Sequence, residues 1–204
     1  MAEKIVIDVF KEKKAEDFTK ALSAADGKAA SGSAAAYTAA MSCALLERAA
    51  NAAAEAGQSG ERLDYIIRNS EILRSYMVHL IDEVIKAKGP LNRARKEGGE
   101  REIEASVQTA CCIEAEIINM MKPCLELLDE LKDFCPQEEM HFIAESAELA
   151  MSACRVCQSI IFHYADMCSD EIYRYVTHRE NEVFMTERSE IYERINAWYK
   201  GKKA

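Results

Sequence analysis

The chain has 204 residues, of which 49% are hydrophobic and 3 are proline, and its 35 acidic side chains outweigh 26 basic ones for a net charge of -9. That balance rules out a wholly disordered chain, fits one domain with a substantial core, and leaves no broad basic face for nucleic acid. No run of about 18 apolar residues is free of charge, so no membrane span is expected.

In chain order, Ile5, Val6, Ile7, Val9 and Phe10 give a short strand-like opening, which is not expected to act as a secretory or targeting segment. A first short helix is predicted from Ala15 to Ala25, with Phe18 and Leu22 on one face and a stop at Asp26-Gly27. The next helix is predicted from Ser33 to Ala56. The stretch 29–56 holds fourteen alanines, and its only large apolar side chains are Tyr37, Met41, Leu45 and Leu46. Alanine favours helix and lets neighbouring helices approach closely, so this helix is placed at the bundle centre.

Leu63, Ile66, Ile67, Leu73, Met77, Leu80, Ile81 and Val84 recur at spacings of three and four, which predicts an amphipathic helix ending at Gly89-Pro90. A basic connection from Lys86 to Lys96 follows and runs into Glu97, Glu100 and Glu102, so it reads as a solvated loop. A further stripe comprises Ile103, Val107, Cys111, Ile117, Met121, Leu125, Leu128 and Leu131, closed by Cys135-Pro136. Met140, Ile143, Ala147, Met151, Cys154 and Ile161 form the next, and an aromatic-rich helix from Asp170 to Trp198 ends the pattern. The prediction is an all-α fold: one domain over 1–204, a bundle of five or six long antiparallel helices with short connections and an alanine-rich centre.

The eight cysteines read as thiols of a reducing, cytoplasmic compartment. Cys154 and Cys157 lie on an apolar stripe and are expected to be buried, not to bind metal. Glu138-x-x-His141 has the spacing of a di-iron helix but lacks the second motif such sites need, so no metal is expected. Ala29-Ala30-Ser31-Gly32-Ser33 leads straight into a helix. With Ser33 as N-cap, its free amides would form an anion site. His79 and Asp82, three residues apart, are a possible acid/base pair.

Gly32-Ser33-Ala34-Ala35-Ala36 opening an alanine-rich helix resembles the start of the cyclodeaminase/cyclohydrolase family, which acts on one-carbon folates. Leu80-Ile81-Asp82-Glu83 resembles that family's Leu-Ile-Asp-Glu, and Cys124-Leu125-Glu126-Leu127-Leu128 a further family helix. Asn51 falls where the family often has asparagine, and the likeness spans residues 15 to 170, with 171–204 as an added C-terminal helix. The sequence departs from the pattern at Ala29-Ala30-Ser31, where the family has consecutive glycines. It departs again at Ala144-Glu145 for a Ser-Asp pair, at His163 for an asparagine, and at Ala165 for an arginine.

The resemblance implies hydrolysis or deaminative cyclisation at the methenyl or formimino group of tetrahydrofolate. The folate is then the substrate, with no other cofactor, and the protein a homodimer. Asp82 and Glu145 are the implied catalytic carboxylates, with Ser31, Gly32, Ser33, Asn51, His79 and His163 as ligand-binding residues. The alternative is a catalytically inactive helical homodimer that binds another small molecule or a protein.

Overall fold

A computed structural model describes residues 9–24 and 30–203. Its helices are α1 (Ala15–Ser23), α2 (Ser31–Glu55), α3 (Glu61–Glu97), α4 (Glu100–Leu131), α5 (Met140–Ala165) and α6 (Glu171–Lys203), with single 3-10 turns at Phe10–Glu12 and Gln137–Glu139. Among the described residues there is no strand. Ile5 to Ile7 and the expected stop at Asp26-Gly27 lie outside them. Phe10, read as the end of a strand-like segment, instead opens a 3-10 turn, because Asp82 accepts its backbone N–H.

The long helices alternate in direction, as cross-contacts show. Ser33 on α2 meets Ile81 on α3, while Glu47 further along α2 pairs with Arg74 earlier on α3. Likewise Ser42 on α2 faces Ser146 on α5, and Arg48 reaches back to Glu139. The α4 helix runs parallel to α2, since Gly32 lies beside Glu114 and Ser42 beside Cys124.

As the alanine count implied, α2 is central and packs on α3, α4 and α5. Ala35, Ala36, Ala39, Ala40, Ala49, Ala50 and Ala53 are all buried along it. Small side chains let α5 approach so closely that two serines bond across the interface. Ser42 Oγ donates to the Ser146 carbonyl at 2.8 Å and Ser146 Oγ to the Ser42 carbonyl at 2.7 Å. Neither hydroxyl is left unpaired in this dry contact, which is what makes burying them tolerable.

Two prolines lie inside helices. The predicted stop at Gly89-Pro90 is incorrect: α3 continues to Glu97, so the basic stretch is helical and not a loop. An interior proline costs about 3 kcal/mol. Here Leu91 and Ala94 extend the apolar stripe beyond it and are buried, which offsets the loss. The helix ends at Gly98-Gly99, where the Gly99 N–H is capped by Glu102 of the next helix at 3.0 Å.

Pro123 also lies inside α4, and Arg188 of α6 packs against the turn before it. Arg188 is 2% exposed, and its guanidinium donates to the Ile118 carbonyl at 2.8 Å, the Phe184 carbonyl at 2.7 Å and Asn119 Oδ1 at 3.2 Å. Burial lowers its pKa, and backbone carbonyls stand in for a buried counter-ion. On α6 the rings singled out in the sequence, Tyr173, Phe184, Tyr192 and Trp198, pack against the core. Ile172, Tyr175, Val176 and Val183 are the large apolar side chains it leaves exposed.

Candidate functional site

The N-terminal turn of α2 meets the second half of α3 and the middle of α4 at one end of the bundle. Ala30, not Ser33, occupies the N-cap position, and no side chain caps the helix. Ser33 is buried within the first turn and donates its hydroxyl to the Ile81 carbonyl at 2.7 Å. Its role is to pin α2 to α3. The neighbouring Asp82 is 7% exposed, and its Oδ1 accepts the N–H groups of Phe10 at 2.7 Å and Lys11 at 3.3 Å. This carboxylate therefore ties the segment before α1 to α3.

Gly32 lies at the closest approach. A Cβ there would fall 2.7 Å from Glu114 Oε1 and 2.7 Å from a Val84 methyl carbon. Only glycine lets the α4 carboxylate reach the helix turn. Glu114 is 3% exposed, and its Oε2 is buried with no hydrogen-bond partner. Desolvation raises its pKa from the ordinary 4.5 to about 7, against smaller lowering by its own backbone N–H and by Lys88. Burial, reinforced by this carboxylate, pushes Tyr164 up to about 12 and Cys157 well above its ordinary value. Cys111, one turn before Glu114, is likewise raised to about 12, chiefly by burial. Glu114 is thus a carboxyl that changes charge near neutral pH among thiols and a phenol that stay neutral. Such a group suits proton transfer.

The other sequence-derived site residues are spread out. Ser31 is exposed at the mouth of the turn beside Gly32. His163 is exposed on α5, six residues beyond Cys157 toward the same end. The expected His79–Asp82 pair is not formed: His79 is exposed, and its Nε2 lies 3.7 Å from Glu83 Oε1. Asn51 is twenty residues beyond Ser31 on one straight element, about 30 Å away. There it lines an open groove of ≈ 430 Å³ with Glu47, Arg48, Glu55 and Glu139. Glu145 is exposed on α5 and sits next to Ser146, which is level with Ser42, about 15 Å along the bundle from Gly32. Asn51 and Glu145 therefore do not join Gly32 in one site within the chain. Cys154 and Cys157 are buried as expected, and among the described residues no group of three or more His, Cys, Asp or Glu side chains could hold a metal ion.

No sequence motif marks Glu114. The signal was the pattern itself: Glu114 lies three residues after Cys111 and three before Ile117, on the stripe that α4 buries. A charged residue on a buried stripe is informative.

The formiminotransferase-cyclodeaminase family model matches residues 14–182, which takes in the Gly32 turn, Asp82 and Glu114. The chain belongs to this family. Its fold is also that of the solved formiminotetrahydrofolate cyclodeaminase from Thermotoga maritima, at a TM-score of 0.84 and 19% identity, covering 94% of this chain and 98% of that one. No curated protein matches the chain by sequence. Among the described residues no helix is long and apolar enough to cross a membrane.

Proposed function

We propose that this cyclodeaminase-family chain acts on the one-carbon unit of tetrahydrofolate, either hydrolysing the methenyl bridge or closing the formimino group with loss of ammonia. The observation that carries the reading is a family match covering the very turn where Gly32 admits a buried carboxylate. Both reactions pass a proton from a nucleophile to a leaving nitrogen, and a water-excluded acid/base group is what they need.

In this reading the folate is the substrate and no further cofactor takes part. Ser31 and Gly32 border the ligand, and His163 lies on its approach. Asp82 acts by holding the Phe10 turn in place, and Ser33 by fixing α2 to α3. The protein works in the cytoplasm as a homodimer. Asn51 and Glu145, remote from Gly32 within one chain, would reach a folate only from a second copy.

The test is turnover by purified protein, with 5,10-methenyl-tetrahydrofolate followed by its absorbance and 5-formimino-tetrahydrofolate by ammonia release. A rate above the spontaneous one on either substrate supports the proposal. No turnover on both refutes it, and folate-induced thermal stabilisation without turnover would instead favour an inactive binding protein.

A further inference from the structure

Glu114 has a place in the fold that packing does not explain. A buried carboxylate costs stability unless it is paired, yet Oε2 has no partner and the remainder of the α4 stripe is apolar. The carboxylate lies against Gly32 in the first turn of α2, one residue from exposed Ser31. The N-terminal end of α2 supplies positive potential beside it.

We propose that Glu114 is the catalytic residue that carries the proton, taking it from the attacking nucleophile and returning it to the nitrogen that leaves. The assignment rests on the folate reading above.

In the hydrolytic direction, water forms a C–O bond to the cationic methenyl carbon while Glu114 accepts one of its protons. The neutral carbinolamine then breaks its bond to N5. That electron pair returns to N5, which takes the proton from Glu114, and the hydroxyl proton leaves to solvent as the formyl C=O forms. In the deaminative direction, N10 attacks the carbon of the protonated formimino group, N5–CH=NH2+, and the N10 proton passes to Glu114 while the C=N electron pair returns to the amino nitrogen. The same proton moves to the amino group, which departs as ammonia with the C–N electron pair and leaves the methenyl cation. One carboxyl serves as base and then acid in each case, so no other proton carrier is required.

The groups packed around it do not compete for this role near neutral pH. Lys88 faces it electrostatically from α3, Cys111 from its own helix, and Cys157 and Tyr164 from α5, while α2 brings Gly32 against it. The thiols and the phenol are held neutral by burial.

The experiment compares pH profiles of kcat for the wild type, Glu114→Gln and Glu114→Asp, with circular dichroism melting as a fold control. The expected results are an inflection near pH 7 in the wild type, its loss in Glu114→Gln with kcat down about 100-fold or more, and KM changed only a few-fold. Glu114→Asp should keep the inflection at reduced kcat, and it decides the matter if the glutamine variant does not fold. A wild type that turns over while either variant matches it in kcat and pH profile overturns the assignment alone. A wild type inactive on both folates overturns the functional reading and the assignment with it.

Discussion

Replacing Glu114 by glutamine should change how the stability of this protein depends on pH, even with no substrate present. In the folded chain burial puts the carboxyl pKa at about 7, against an ordinary 4.5 once the chain unfolds. The native state then holds the proton more tightly, so between these two values it binds more protons than the unfolded state. Stability therefore falls as pH rises through this window, and the loss is complete above about 7. A difference of about 2.5 pKa units at about 1.36 kcal/mol each amounts to roughly 3 kcal/mol.

Glutamine does not titrate, so the stability of Glu114→Gln relative to wild type should climb by about that amount between roughly pH 4 and pH 8. For a chain of this length the corresponding change in relative Tm is roughly 6–12 °C. Urea unfolding of both proteins, followed by far-ultraviolet circular dichroism across this range, measures it, and taking the difference cancels every other titrating group. A gap that stays flat within about 0.5 kcal/mol would refute the claim that burial holds this carboxyl's pKa well above its ordinary value.

Gly32→Ala should destabilise the chain by about 1–3 kcal/mol, because its methyl would overlap Val84 and Glu114; pairing it with Val84→Ala should recover part of the loss in thermal melts. Arg188→Met should cost about 3 kcal/mol or more in urea unfolding, since it removes a buried guanidinium that bonds the Ile118 and Phe184 carbonyls and Asn119 Oδ1, and Arg188→Lys should not restore it. Asp82→Ala should release the Phe10 turn, raising proteolytic cleavage around residues 10–14 while the bundle melts within about 1–3 kcal/mol of wild type. Cys112, the exposed thiol, should react quickly with Ellman's reagent in the native protein, and Cys43, Cys124, Cys154 and Cys157 only on unfolding.

Much of the bundle was legible because its rules are local and periodic. The stripes from Leu63 to Val84 and from Ile103 to Leu131 report which side of each helix meets the core, and both are buried except at Ile67 and Ile103, which are partly buried against it. Proline chemistry misled at Pro90, where a single lost hydrogen bond was judged in isolation. The stripe resumes at Leu91 and Ala94, and burial across a whole helix outweighs one broken rung. Arg188 packs against the turn before Pro123 from sixty-five positions away, and no local pattern announces that contact.

The site was legible only in part. The small-residue turn was found, but Ser33 was read as a cap when Ile81 on another helix claims its hydroxyl. Asp82 was chosen for its motif, yet its carboxylate serves two backbone amides of the N-terminal segment. Glu114 has no motif around it, and its significance arises from Gly32 pressing against it across the bundle. Contacts between helices that are distant in sequence decide which acid is desolvated, and composition does not carry that information.

The most direct test of a folate site at the Gly32 end is a crystal structure of the protein with 5-formyl-tetrahydrofolate, which carries a one-carbon group without the reactive bridge. The account predicts the formyl group within about 3.2 Å of the Glu114 carboxyl, beside Ser31 and Gly32. A folate bound in the groove around Asn51 and Glu139, with the Gly32 turn untouched, would contradict it.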